Sequence, residues 1–387
     1  MIASLKMHTK PYISVVMPCL NEEKAIGKCI SDAKVGLSKL EKLGHKGEII
    51  VVDNNSTDNS ASIAEKMGVR VIFEKKRGYG AALKQGIKNS RGEYIIIGDC
   101  DNTYDFRQIK SFVGLLEKGA DLVLGSRFKG TIKRGAMNFS HRYIGNPLLT
   151  FILNLSFASK ISDVQTGMRA FSKACYKRLN LKSGGMEFAS EMIIKAVYRK
   201  LKIKEVPVNY YPRLGISKLS PLSDAWRHIK FIILYSPTYA LILPGFIFFI
   251  LGITVGILLA REGRILFNHF FDIHTMGMGF LLSNVGLNIM LLGLFARLYT
   301  QELLGLPSRF LTNNLLKNLS VERLLVLGSF LLLIGLVVLG NVLVVWVQNG
   351  FGELSKIRQV IIGANIVGFG LQIIFSSFLF GLLSDEV

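Results

Sequence analysis

The sequence predicts an α/β domain built on a mostly parallel sheet, followed by an α-helical membrane domain of four spans. Three observations predict it. Up to about Tyr235, short β-prone apolar runs alternate with helical segments, the pattern of strands that pair in parallel through crossover helices. Charge is segregated: 39 Lys+Arg and 20 Asp+Glu lie up to Ser236, against 8 and 7 beyond it. The weakly charged remainder holds four apolar runs, each longer than the roughly 20 residues that cross a bilayer. The expected boundaries are 1–220 for the α/β domain, 221–235 for a juxtamembrane helix and 236–387 for the spans.

The elements follow in order. Tyr12–Leu20 reads as a buried strand, and Asn21-Glu22-Glu23 opens a helix with acids in its first turn. Glu48–Asp53 is a second buried strand, with a loop of cap and turn formers, Asn54–Asp58, before a helix that runs to Met67. Val69–Glu74 is a third strand, Gly80–Asn89 a helix, Tyr94–Gly98 a fourth strand, Phe106–Lys118 a helix and Asp121–Gly125 a fifth strand. Asn138–Ala158 is helical, with a wide apolar face (Tyr143, Ile144, Leu148, Phe151, Ile152, Leu155) interrupted by Pro147. It is either a core helix or one lying at a membrane surface. Met168–Ser172 and Glu205–Tyr211 read as strands and Met186–Lys200 as a helix. Leu222–Tyr235 is amphipathic and directly precedes a span, which suits an interfacial helix. The spans are expected at 239–260, 276–298, 324–347 and 360–383. Gly252-xxx-Gly256, Asn284, Asn288, Asn365 and Gln372 within them suit helix–helix packing, inside one chain or between copies in a homo-oligomer.

The net charge is +20. A basic domain beside apolar spans fits anionic lipid head groups. Nucleic acid is not expected as a partner, because no reading motif accompanies the charge. The four cysteines, Cys19, Cys29, Cys100 and Cys175, have neither zinc nor CxxC spacing and read as reduced core residues. The N-terminus lacks the apolar stretch of a signal peptide. Positive charge before the first span and in the second loop (Arg213, Lys218, Arg227, Lys230, Arg309, Lys317, Arg323) outweighs that of the first and third loops. The expected placement is multi-pass in the cell membrane, with the catalytic domain and both termini cytoplasmic.

The chemistry centres on Ile95-Ile96-Ile97-Gly98-Asp99-Cys100-Asp101, an apolar strand running into two carboxylates at i and i+2. Extended backbone points such residues to one side. Paired carboxylates with few other protein ligands suit Mg²⁺ or Mn²⁺, whose shell substrate phosphates complete. Ligands of parallel sheets bind beyond the carboxyl ends of the strands, and Pro18, Asp53, Asp99 and Ser126 are expected at such ends. Asp53 either accepts hydrogen bonds from a nucleoside or caps the next helix. Gly78-Tyr79-Gly80, preceded by Lys76 and Arg77, resembles part of a dinucleotide fingerprint but carries Leu83 at the third glycine position, so a loop near phosphates fits better. Ser126, Arg127, Arg142, Arg169, Arg213 and Lys218 are phosphate-clamp candidates; structural ion pairing is the alternative for each arginine.

Taken in order, PCLNEE, VVDNNSTDNS, RGYGAAL, GDCDNTYD, GSRF, SDVQTGMRAF and RLGISK resemble family 2 glycosyltransferases of the polyprenyl-phosphate type, such as dolichol-phosphate mannose and glucose synthases. The resemblance covers about residues 10–235, and the four-span tail looks like multispan members. It implies a GT-A fold and an inverting transfer of a hexose from a nucleotide sugar, of GDP-mannose or UDP-glucose type, to a polyprenyl or dolichyl phosphate. By motif match, Pro18, Leu20, Glu22, Asp53 and Gly78 meet the nucleotide; Asp99 and Asp101 hold the metal on the diphosphate; Ser126, Arg127, Arg142, Arg169, Arg213, Ser217 and Lys218 meet phosphates. The catalytic set is Asp99, Asp101 and Arg127. Two positions depart from the pattern: Thr103 where mannose synthases commonly have Gln, and Asn54 where many members have a second Asp.

A phosphate monoester has a second pKa near 6 and is anionic at neutral pH, so the acceptor needs no general base; charge screening and in-line placement are what remain. A processive polysaccharide synthase would carry a QxxRW motif, which is missing. A non-catalytic membrane scaffold or lipid-flipping accessory is the alternative from another class, and a channel is disfavoured by the few ionisable residues in the spans.

Overall fold

The computed structural model describes residues 12–215, 226, 230, 235–266, 268–304, 320–353 and 356–383. The chain divides into two compact units, Met1–Ile232 and Ile233–Val387. Ser217 and Lys218, and most of the segment 222–235 expected as an interfacial helix, lie outside the described residues.

The first unit is a seven-stranded sheet in the order β3-β2-β1-β4-β6-β5-β7. Its strands are β1 (Ile13–Cys19), β2 (Gly47–Asp53), β3 (Arg70–Phe73), β4 (Tyr94–Ile97), β5 (Leu122–Ile132), β6 (Arg169–Ser172) and β7 (Ile203–Tyr210). Helices α1 (Ile26–Glu41), α2 (Ser60–Lys66), α3 (Tyr79–Asn89), α4 (Ile109–Glu117), α5 (Asn146–Phe157), α6 (Lys173–Leu179) and α7 (Phe188–Tyr198) connect them. The pairs β1/β2, β2/β3, β1/β4 and β5/β7 are parallel, while β6 runs antiparallel between β4 and β5. The sheet is therefore mostly parallel, and its apolar strands carry the core: Val15, Val16, Met17, Ile50, Val51, Ile95, Ile96, Val123 and Ala170 are fully buried.

Pro18 sits inside β1, a central strand, where a missing N–H usually breaks a ladder bond. Val16 accepts from Gly98 through its carbonyl, so its polar groups, and those of Pro18 two residues on, point toward β4. That strand has already ended at Ile97, so no ladder bond is lost.

Several expectations need correction. The acids Glu22 and Glu23 do not occupy a helical first turn: α1 starts at Ile26, and Asn21 takes a left-handed φ of 53° that an asparagine tolerates. Ser126 is not at a strand end, because β5 runs on to Ile132 beside β7 with a shift of register between Ser126 and Thr131. Pro147 does not interrupt a helix. It sits in the first turn of α5, where its ring is tolerated, after a π-helical turn at His141–Gly145. The short helix α6 was not expected from the sequence.

Among the described residues the second unit holds four helices long and apolar enough to cross a membrane, Thr238–Leu258, Ile273–Tyr299, Val321–Gln348 and Ile357–Leu383. The first and second pack through glycines: a Cβ on Gly252 would come within 2.3 Å of the Gly279 carbonyl. The third and fourth do likewise, a Cβ on Gly335 meeting the Val367 amide nitrogen at 2.7 Å. Asn284 donates to the Asn365 Oδ1 and accepts from Gln372 Nε2 at 3.2 Å, joining the second and fourth helices by amides within one chain. A small hairpin, β8 (Arg264–Leu266) with β9 (His269–Phe271), joins the first two.

Candidate active site

The two carboxylates come from a turn, not from the strand itself. β4 stops at Ile97, and Asn102 adopts a left-handed φ of 70° that folds the chain back. Asp99 and Asp101 thus sit in the bend that follows β4, outside the regular strand, and Asn102 turns the chain only after them. Thr103 donates to Asp101 Oδ1 through both its amide, at 3.0 Å, and its hydroxyl. At 3% exposure, Thr103 orients Asp101 and adds no carboxylate of its own. Asp101 Oδ2 lies 3.3 Å from Arg213 Nη1, and the other arm of Arg213 pairs with Glu22 Oε1. The segment after β7 is therefore latched to both the β1–α1 loop and the acidic turn.

Asp99 is held differently. Tyr79, the first residue of α3, donates its hydroxyl to Asp99 Oδ1 at 2.9 Å. On the other side the backbone of Gly167 lies so close that a Cβ there would stand 2.2 Å from Asp99 Oδ2. Burial, then the neighbouring Asp101 charge, push the Asp99 carboxyl up to about 7, against the opposing pull of Tyr79, Arg213 and Arg127. Two crowded carboxylates of this kind gain by sharing a cation. Among the described residues no third His, Cys, Asp or Glu joins them as a metal-holding group. The donor set fits Mg²⁺ or Mn²⁺, which take one or two carboxylates and complete their shell with water and phosphate oxygens.

On the nucleoside side, Asp53 ends β2 and is 4% exposed. Its Oδ2 accepts from the Ser56 amide at 3.1 Å, while Oδ1 is buried with no hydrogen-bond partner among the described residues. Arg213 Nε is likewise buried without a hydrogen-bond partner among the described residues. Unmet acceptors and donors of this kind are costly unless a ligand satisfies them. Pro18 and Leu20 are half-buried nearby in sequence, and the loops after β1 and β2 are stitched together: Asn21 Oδ1 accepts from the Thr57 amide at 2.7 Å and the Glu22 amide donates to Ser60 Oγ at 2.8 Å.

Asn54 turns away from this group. Its amide nitrogen donates to the carbonyls of Glu74 and Lys76 at 2.8 and 2.9 Å, and its oxygen accepts from the Gly78 amide at 2.8 Å. A carboxylate cannot donate, so asparagine is what this loop requires. Gly78 has φ 142° and packs on the Gly184 carbonyl, so it fixes the entry to α3. That places Tyr79 at Asp99.

The phosphate-clamp candidates separate. Arg127 is 6% exposed and forms a two-pronged pair with Asp163, at 2.7 and 2.8 Å, stacked 5.2 Å from the Tyr210 ring centre. Burial opposes its charge, but Asp163 keeps its pKa above the ordinary arginine range. Arg169 is a correction: at 1% exposure it holds the carbonyls of Thr166, Ala189 and Val164, and burial lowers its pKa, so it braces the β6 region instead of facing a ligand. Ser126 is a second correction, fully buried against Ser162 at 2.6 Å. Arg142 is partly exposed, 5.3 Å from the Tyr143 ring centre, with no carboxylate pair among the described residues. The cysteines are all buried and unbridged. Sequence reasoning assigned no roles to Tyr79, Asp163 and Gly167, although all three stand in motifs it singled out.

The chain matches the profile described as "Glycosyl transferase family 2" over residues 14–179, and "Glycosyltransferase family 2 C-terminal transmembrane region" over residues 294–384. It is 38% identical over 376 residues to the low-salt glycan biosynthesis hexosyltransferase Agl6 of Haloferax volcanii, covering 97% of this chain and 90% of that one. It is 30% identical to a dolichyl-phosphate hexose transferase of the same organism, over 54% of this chain and 88% of that one. A solved structure of glucosyl-3-phosphoglycerate synthase from Mycobacterium tuberculosis is 23% identical, with a TM-score of 0.46 over 58% of this chain and 78% of that one. With the sheet, the acidic turn and the four apolar helices in place, the chain belongs to glycosyltransferase family 2, as a membrane protein of that family.

Proposed function

We propose that this glycosyltransferase moves a hexose from a nucleotide sugar, of GDP-mannose or UDP-glucose type, to a polyprenyl or dolichyl phosphate, with inversion at the anomeric carbon. The observation that carries the proposal is the pairing of Asp99 and Asp101 in one turn with an unmet buried acceptor on Asp53, in a chain that also carries four candidate spans. The dolichyl-phosphate hexose transferase named above supports the choice of acceptor.

Asp53 Oδ1 accepts from the nucleoside, and Arg213 Nε donates to the diphosphate beside it. Asp99 and Asp101 hold Mg²⁺ or Mn²⁺, which when bound supplies charge screening at the diphosphate. Tyr79, Thr103 and the backbone of Gly167 keep those carboxylates in register. Arg127 is a positioning residue, bound to Asp163, whose charge acts on Asp99 from behind. Arg142, together with Ser217 and Lys218, is assigned to the acceptor phosphate. The acceptor is already anionic, so its oxygen attacks the anomeric carbon without a base, and the bond to the nucleoside diphosphate breaks in line. The catalytic domain and both termini are assigned to the cytoplasm of a multi-pass membrane protein, on the charge pattern of the loops.

The test is synthesis. Purified protein in lipid nanodiscs, given Mg²⁺ or Mn²⁺, polyprenyl phosphate and a panel of nucleotide sugars, is expected to make a lipid-linked hexose with one of them. Asp101→Ala is expected to abolish it. Full activity in Asp101→Ala would remove the metal assignment, and absence of both product and nucleotide binding would favour a non-catalytic scaffold.

A further inference from the structure

The acidic turn follows a ladder that stops short. β1 and β4 pair in parallel with Val16 opposite Ile97, and the Gly98 amide donates to the Val16 carbonyl at 3.3 Å. Rungs of a parallel pair are evenly spaced and come from alternate residues, so the next would join the Cys100 amide to the Pro18 carbonyl. β4 has ended by then. The Cys100 thiol takes that place, donating to the Pro18 carbonyl with Sγ at 2.9 Å. Cys100 is 2% exposed and shares a core cluster with Cys19 of β1 and Cys29 of α1. Cys29 Sγ in turn accepts from the Asn102 amide. Sulfur thus joins the acidic turn to the strand and helix beside it where the backbone ladder no longer does.

A buried cysteine is by default a small apolar filler. Two features set Cys100 apart. It lies between Asp99 and Asp101, whose carboxylates are tied to Tyr79 and to Thr103 and Arg213. Its acceptor belongs to Pro18, at the end of β1 that leads into the loop of Asn21 and Glu22. A nucleoside diphosphate bound with its cation must reach from the one place to the other. Building on the nucleotide and metal roles proposed above, we infer that Cys100 is a positioning residue: its thiol fixes the acidic turn against the Pro18 end of β1, so that the cation site and the nucleoside site engage one nucleotide together. By linkage, the cation then tightens the nucleotide by the same factor as the nucleotide tightens the cation. Without the thiol each half still forms, but turn and strand end shift independently and part of that coupling is lost. The loss is expected to be about fivefold, the worth of one hydrogen bond.

The test is calorimetry of UDP and GDP binding to the whole chain in nanodiscs, with and without Mn²⁺. In the native chain Mn²⁺ is expected to tighten at least one of the two. Cys100→Ala and Cys100→Val remove the donor, the first leaving space and the second filling it. Both are expected to lower the tightening by about fivefold while the Mn²⁺-free affinity stays within about twofold of native. Cys100→Ser restores a donor and is expected to recover most of the loss. Cys175→Ala removes a buried thiol from α6 and is expected to keep the native tightening even where the thermal midpoint falls. Native tightening in Cys100→Ala and Cys100→Val overturns the inference, and so does a Cys100→Ser chain no better than Cys100→Ala; either result would leave Cys100 as core packing. A native chain that binds neither nucleotide, or binds without regard to Mn²⁺, removes the reading of the site itself, and the inference with it. The native titration therefore tells the two failures apart.

Discussion

Gly167→Ala tests how tightly the acidic turn is held. The added methyl would lie 2.2 Å from Asp99 Oδ2 and 2.9 Å from its Cγ. An ordinary carbon–oxygen contact is about 3.3 Å, so the carboxylate must retreat by about 1 Å. Gly167 needs no positive φ, so alanine itself fits the backbone and the fold is kept. The cost falls on Asp99, which Tyr79 holds from the other side. A misplacement of about 1 Å at a reacting centre costs roughly 10²-fold, or about 2.7 kcal/mol in the barrier. The assay is transfer of labelled hexose to polyprenyl phosphate, with metal affinity measured separately by calorimetry in the presence of nucleoside diphosphate. Turnover is expected to fall by about 10²-fold with weaker metal binding. Adding Asp99→Ala to Gly167→Ala is expected to cost less than Asp99→Ala alone costs the native enzyme, because both act through one group. A Gly167→Ala enzyme within threefold of native turnover would refute the claim that this glycine exists to admit Asp99.

Three further outcomes follow from the same geometry. Asp163→Ala strands the buried Arg127 charge and is expected to destabilise the domain by about 3–5 kcal/mol, seen as a lower thermal midpoint, whereas a double Asp163→Ala, Arg127→Met variant should recover much of the loss. Asn54→Asp replaces two donated hydrogen bonds to Glu74 and Lys76 by facing oxygens; a cost of about 1–3 kcal/mol is expected, read as faster amide exchange at residues 74–78. In α7, burial works against ionised Glu191, but Lys195 and the amides of Lys182 and Ser183 lower its pKa below the ordinary range. Because the folded pKa is depressed, its stabilisation is present above the unfolded value of about 4.3 and lost as pH falls through the folded value. Glu191→Gln is expected to flatten the acid limb of a thermal-midpoint profile and to lower the midpoint at pH 7; an unchanged profile would contradict this.

The residues of the site were legible unevenly. Asp99, Asp101, Glu22 and Arg213 could be read because charged groups beside apolar strands announce themselves, and in the structure Arg213 ties Glu22 of the β1–α1 loop to the acidic turn. Arg169 and Ser126 carried the same kind of signal and ended in the interior. A guanidinium or hydroxyl looks alike in sequence whether it meets a ligand or a carbonyl. Tyr79, Asp163 and Gly167 act by position on other residues, and such roles leave no compositional trace.

By itself the sequence determined the alternation of strands and helices, the segregation of charge and the four apolar runs, since periodicity and hydropathy are local properties that survive any arrangement of the elements. Only the tertiary structure decided that β6 runs antiparallel, that Asp99 and Asp101 lie in a bend past the end of β4, that Asp163 claims Arg127 and that one face of α5 stays uncovered. These depend on which residues distant in the chain come within contact distance, and a side chain's role follows from the partner it meets there.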